Sequence, residues 1–132
     1  QYRVGQELPW TLPWYNFNAV FVSADDHVWL THSVLGGMAE FNGTSWVLHD
    51  SPYQMDAMLD DSQGNIWVRT SQYGLFKWNG SSFQNWPTVG GTITMTGLGK
   101  DLDGVVCVST WYGSVYKMIN DNPVFFVKAD NN

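Results

Sequence analysis

Acidic residues recur in pairs at related places along this chain: Asp25-Asp26, Asp60-Asp61, and Asp101 with Asp103. Carboxylate oxygens at such spacing are ligands that calcium accepts, and Asp101-Leu102-Asp103-Gly104 matches the start of a calcium loop. The distal glutamate of such a loop is missing. Asp and Gly together also build turns, with Asp capping the backbone and Gly taking positive φ, and turn capping is the preferred reading of all three pairs. The imidazoles, His27, His32 and His49, have no Cys partner and no His-Glu-x-x-His spacing, so they form no metal motif. His32 stands at a strand end that Thr70 and Thr110 occupy in related segments, a place for a hydrogen-bonded structural histidine. Cys107 is the single cysteine, which excludes an internal disulfide; it reads as a small buried apolar side chain rather than a reactive thiol. There is no nucleophile elbow, phosphate loop or dinucleotide fingerprint. Carboxylates paired in space rather than in sequence would suit a hydrolase or lyase with a site at the centre of a ring. Those present fall mostly in turns, so the chain reads as a non-enzyme with no assigned catalytic residue, metal or cofactor.

Aromatic side chains are the better candidates for binding. Trp10, Trp14, Tyr53, Tyr73, Trp111 and Tyr112 fall near loops, and Gln72-Tyr73-Gly74 and Trp111-Tyr112-Gly113 occupy the same loop of successive segments. Aromatic faces beside amides suit sugar rings, which makes Trp10, Trp14, Tyr73, Trp111 and Tyr112 candidate contacts for a glycan or another small polar ligand. The competing role for them is to seal interfaces between segments. Two sequons, Asn42-Gly43-Thr44 and Asn79-Gly80-Ser81, make Asn42 and Asn79 glycan acceptors in a eukaryotic secreted protein. Asn-Gly is equally what a tight hairpin requires.

These residues ride on a unit that occurs three times. Its clearest copy is Asp61-Ser62-Gln63-Gly64-Asn65-Ile66-Trp67-Val68-Arg69-Thr70, then Tyr73-Gly74-Leu75-Phe76-Lys77-Trp78-Asn79-Gly80 and Phe83. A second is Asp101-Leu102-Asp103-Gly104-Val105-Val106-Cys107-Val108-Ser109-Thr110, then Tyr112-Gly113-Ser114-Val115-Tyr116-Lys117. A diverged first copy holds Val28-Trp29-Leu30-Thr31, Gly37-Met38, Phe41-Asn42-Gly43 and Trp46. Trp29 and Trp67 are 38 residues apart, and Trp67 and Cys107 are 40 apart. A period near forty, built of short strands and turns, marks a blade in a radial all-β repeat protein.

Each copy divides into four strands. These are about 17–22, 27–32, 37–41 and 45–49; then 55–60, 65–70, 74–78 and 82–86; then 95–100, 105–110, 114–118 and 124–127. Asn79-Gly80 and Asn42-Gly43 signal tight hairpins, and Asn120-Asp121-Asn122-Pro123 a longer turn. Ile66-Trp67-Val68 and Val105-Val106-Cys107-Val108 are apolar on successive residues, so both their faces should be buried, as in a sheet sandwiched between sheets. Blades therefore fall at about 17–50, 51–88 and 89–127. Residues 1–16 repeat a Leu-Pro-Trp unit, and each Pro holds its predecessor extended, so they form a strap. Residues 128–132 read as a frayed polar tail.

The composition fits this picture and excludes others. The 132 residues carry a formal net charge of −6, with six Lys and Arg and no cluster of them, so no phosphate-neutralising stripe exists for nucleic acid. No apolar run is long enough to span a bilayer. Eight Trp and thirteen Gly suit short strands and tight turns, and only 14% of residues are charged, which leaves little to solvate a free-standing surface.

The pattern Asp-x-x-Gly-Asn-Ile-Trp-Val-x-Thr followed by Gly-Leu-Phe-Lys-Trp-Asn-Gly and an aromatic resembles the two-component regulator propeller repeat, over residues 17 to 127. That family supplies the extracytoplasmic sensor regions of bacterial hybrid two-component systems and related secreted propellers. The resemblance implies a β-propeller fold, an extracellular or periplasmic location and a binding role. It also implies that the matching turn, Trp and strand-end Thr residues are structural. Copy one departs from it at Asp26-His27 and His32, and copy three loses the Trp.

Propellers have about four to eight blades, so three must be completed. Two copies of the chain would give a six-bladed ring with two-fold symmetry, and a contact that does not close would give an open filament. The expected partner is another copy of this chain across the open faces of the first and third blades. The alternative is a ligand-sensing or lectin-like domain, or a fragment of a larger sensor.

Overall fold

The computed structural model describes residues 17–128. Trp10, Trp14 and the expected strap lie outside the described residues. The described chain is all strand and turn, with three four-stranded antiparallel sheets in which sequence neighbours pair. The first holds β1 (Phe17–Val22), β2 (Val28–His32), β3 (Met38–Phe41) and β4 (Trp46–His49). The second holds β5 (Ala57–Asp60), β6 (Ile66–Arg69), β7 (Leu75–Trp78) and β8 (Phe83–Trp86). The third holds β9 (Met95–Lys100), β10 (Val106–Thr110), β11 (Ser114–Ile119) and β12 (Asn122–Lys128). The expected strands are all present, two of them, β1 and β9, with the expected ends. No helix among the described residues is long and apolar enough to cross a membrane. The chain divides into two compact units, one containing the first sheet and ending at Met55, the other starting at Asp56 and containing the second and third sheets.

In the second unit two sheets share one core. Trp67 and Leu75 of the second sheet and Val106, Val108 and Met118 of the third are buried together, with Met95 and Val89. Trp86 stacks on Trp67, ring centroids 5.1 Å apart. The connection is pinned by backbone: Gly74 N donates to Ile93 O (2.9 Å) and Met95 N to Thr70 O (3.2 Å). A Cβ on Gly74 would lie 1.9 Å from Trp86 O, and its φ is +80°, so only glycine fits. In the first unit Leu30 and Ala39 form a smaller core with Leu35, Trp46 and Leu48.

Burial follows the expected double-sided pattern in β6, where Ile66, Trp67 and Val68 are all buried. It fails in β10. Val106, Val108 and Thr110 are buried, while Cys107 and Ser109 on the opposite face are only half-buried. Cys107 is thus not a buried core residue: its face of the third sheet is less covered than the face carrying Val106 and Val108, which packs on the second sheet.

The expected tight hairpins form at Asn42-Gly43 and Asn79-Gly80, where Asn42 N donates to Ser45 O and Asn79 N to Ser82 O, both at 3.2 Å. Each Asn Oδ1 accepts two backbone N–H groups, from Thr44 and Ser45 and from Ser81 and Ser82, and so caps its own turn. The third sheet corrects the expectation of a longer turn: its turn is the two residues Asn120-Asp121, with Ile119 paired to Asn122 and both turn residues at positive φ, 51° and 64°. That is the backbone of a type I′ turn, which Asn and Asp tolerate. Pro123 then lies inside β12. This is permitted because β12 is an edge strand, where a missing N–H need not break the ladder. The strand runs on to Lys128, which belongs to the sheet and not to the tail.

Candidate functional site

The first turn of each sheet is built to the same plan, and its side chains decide what the acidic pairs do. At Asp61, Oδ1 accepts the N–H groups of Gln63 (2.9 Å) and Asn65 (3.0 Å). Its Oδ2 accepts Asn65 Nδ2 (3.0 Å) and Trp67 Nε1 (2.8 Å). Burial works to raise the Asp61 pKa, but the donors Trp67, Asn65 and Gln63 outweigh it and hold the group below its usual range.

Asp101 repeats the cap with Asp103 N and Val105 N, both at 2.9 Å. Its Oδ2 accepts Lys117 Nζ at 3.0 Å, because Cys107 has replaced the indole. The Val105 N–H and then the Lys117 bond lower its pKa. In the first sheet Ser23 stands at this place. Trp29 Nε1 donates to Ser23 Oγ (2.9 Å), and Ser23 Oγ donates in turn to Asp25. The turn carboxylates Asp61, Asp101 and Asp25 are thus occupied by backbone, indole, hydroxyl or ammonium donors, and among the described residues no group of side chains is arranged to hold a metal ion.

With Trp67 in place, Lys77 cannot take the position that Lys117 takes. It lies 5.4 Å over the Trp67 ring, and its Nζ donates to Asp121 Oδ2 of the third sheet at 2.6 Å. Trp86 Nε1 donates to Asp121 O at 3.1 Å. A cleft of about 430 Å³ opens here, between the turn Asp61–Asn65, the loop at Asp103-Gly104 and the hairpin tip Asn120-Asp121, with Trp67, Val106 and Met118 as its floor. Its rim offers carboxylates, amides and one ammonium, which suits a small polar molecule.

The first unit carries a different constellation. Glu40 on β3 bridges two imidazoles: Oε2 meets His27 Nδ1, and Oε1 meets His49 Nε2 at 2.7 Å. Asp25 lies 3.6 Å from the same His27 nitrogen, and the His49 ring tilts against Trp29 at 5.6 Å. The Glu40 bond, opposed by burial and helped by Asp25, raises the His27 pKa. His32 is separate and fully buried, with Nδ1 accepting N–H bonds from Val34 (3.0 Å) and Leu35 (3.2 Å). It closes the loop after β2 as Thr70 does after β6, where Oγ1 accepts Tyr73 N (2.9 Å) and donates to Gly74 O (2.7 Å).

The sequence candidates divide accordingly. Tyr73, Trp111 and Tyr112 are exposed, Trp111 at 68% and Tyr112 at 69%, on the β6–β7 and β10–β11 loops. Those loops lie at the opposite end of their sheets from the cleft, so the cleft brings none of these rings together. Asn42 and Asn79 are at exposed tips. The cleft groups Lys77 and Asp121 and the Glu40 bridge escaped notice in the sequence. The available signal was positional: Lys77 and Lys117 each stand ten residues after Trp67 and Cys107, and Glu40 stands directly across from Trp29.

No protein-family model matches the chain, and no curated protein matches it in sequence.

Proposed function

We propose that this chain is a non-catalytic, extracytoplasmic β-propeller module that acts by assembling with copies of itself. One observation carries the proposal. In the second sheet, the face with Leu59, Trp67, Leu75 and Trp86 packs on the third sheet. The same register positions of the third sheet are Gly99, Cys107, Val115 and Val127, and none of these is buried. Beyond them β12 is exposed along its whole length, with Phe125 at 56% and Phe126 at 60%. A face of the stacking type, small in the middle and apolar at its edge, is only partly covered, and most open at Val127. Apolar surface of this kind favours a partner, and one built like the second or third sheet is already encoded in the chain.

Light scattering during gel filtration tests this. The chain should run as a dimer or larger assembly, and Val127→Asp should shift it towards monomer without loss of its circular dichroism spectrum. A folded wild-type monomer at all concentrations sinks the proposal.

The exposed Tyr73, Trp111 and Tyr112 favour a second reading, a ligand-sensing or lectin-like domain for sugars. A glycan array without hits, together with unchanged binding in Trp111→Ala, would remove it.

A further inference from the structure

We propose that the first sheet contains an acid-tightened clasp: Glu40, held between His27 and His49, fastens the turn before β2 to β3 more firmly when His27 is protonated. It stands apart from assembly, because its residues belong to the first unit and the open face described above belongs to the second.

The geometry is that of one carboxylate with both oxygens engaged. Oε2 meets His27 Nδ1, and Oε1 meets His49 Nε2 at 2.7 Å. The three residues come from the turn before β2, from β3 and from β4, so the cluster crosses two strand pairings, β2–β3 and β3–β4. Side-chain exposure is 30% for His27, 18% for Glu40 and 14% for His49, so the pairs are poorly screened but still open to protons. Among the described residues, the charged groups that face His27 are Glu40, Asp25 and Asp26; the two imidazoles face Glu40, and the Trp29 ring lies beside His49. These three charges on His27 are all negative and favour the imidazolium.

Protonation changes what the clasp is made of. With a cationic His27 ring, its bond to Glu40 is charge-assisted, the stronger kind. On deprotonation that ring keeps one N–H. The bond survives only if His27 commits it to Nδ1, and it then becomes ordinary. The sign follows. A histidine whose pKa is higher folded than unfolded adds stability that is fully present below the unfolded value and is lost as pH rises through the folded one. The clasp is therefore tightest in mild acid and slackens above neutrality.

The test is a pH titration of the histidine ring Cε1–H signals by NMR, in wild type and in Glu40→Gln. His27 should titrate above the ordinary histidine value in wild type and fall back towards it in the variant. Melting temperatures at about pH 5.5 and about pH 8.5, either side of the histidine range, give a second readout. The acid-minus-alkaline difference should be more positive in wild type than in Glu40→Gln by about 2 °C or more. Should Glu40→Gln fail to fold, His27→Asn removes the titrating ring and keeps the carboxylate, and the same difference should shrink. A His27 midpoint unmoved by Glu40→Gln, or a melting difference unmoved in the variant that folds, overturns the clasp.

Discussion

Trp67 Nε1 donates to Asp61 Oδ2 at 2.8 Å, and this one bond ties the core of the second sheet to the turn that opens it. Around it, the four donors on Asp61 make the turn and the indole a single structure. The third sheet shows the same place without the indole, where Lys117 takes the vacant oxygen of Asp101. The repeat therefore tolerates either donor, and the choice decides whether the lysine ten residues later serves its own turn or the neighbouring sheet.

Asp61→Ala should cost about 2 to 3 kcal/mol, since it strips a charged acceptor from an indole and three other N–H groups. Trp67→Phe should cost less at the turn, about 1 kcal/mol for the lost bond, plus the loss of ring volume from the core. Chemical denaturation of both variants checks the order. Equal stability of Asp61→Ala and wild type would refute the role of the cap.

Cys107→Trp should rebuild the second sheet's arrangement in the third. The new indole has an open face to enter and an acceptor in Asp101, and it should displace Lys117. The tryptophan emission of the variant, compared with Cys107→Ala, should show a ring partly shielded from water. In wild type, burial foremost pushes the Cys107 thiol up, so alkylation should be slow at neutral pH and speed up in alkali.

Asp121→Gly and Asp121→Ala separate two roles of one residue. Both lose the ion pair with Lys77, but only Ala must hold a positive φ, here 64°. Ala should therefore be the worse by roughly 1 kcal/mol. Equal melting temperatures for the two would show that the turn's backbone is not under this constraint.

Stability should fall on both sides of a plateau. Asp61, Asp101 and Asp25 all have pKa values below their usual range in the folded chain. Such groups add stability that is present above the unfolded carboxylate value, about 3.9, and is lost as pH falls through the folded one. His27 acts on the alkaline side with the opposite slope. Asp61→Asn should flatten the acid limb alone, as read from melting temperatures across pH.

Most of the fold was legible in the sequence because the repeat writes each strand in apolar residues and each first turn in Asp and Gly. What escaped were features set by pairing across strands. Asn120-Asp121 lacked a glycine, yet both residues took the left-handed conformation. The Glu40 bridge draws together residues 27, 40 and 49, which no linear motif joins, and the cleft depends on Asp121 arriving from another sheet. Cys107 sat in a strand apolar enough for two buried faces, but only the packing of neighbouring sheets decides how many faces are covered.

The two bonds that reach Asp121 from Lys77 and Trp86 bear on how such a chain grows in evolution. The segment that repeats is about forty residues long and makes one sheet. The smallest piece of the second unit that buries Trp67, satisfies Lys77 and closes the indole of Trp86 is two sheets. A newly duplicated copy would inherit strands and turns but no counterpart for these groups, and would gain lasting order only when its neighbour came to supply them. The sequence repeats by one sheet, whereas the packing of these groups takes two.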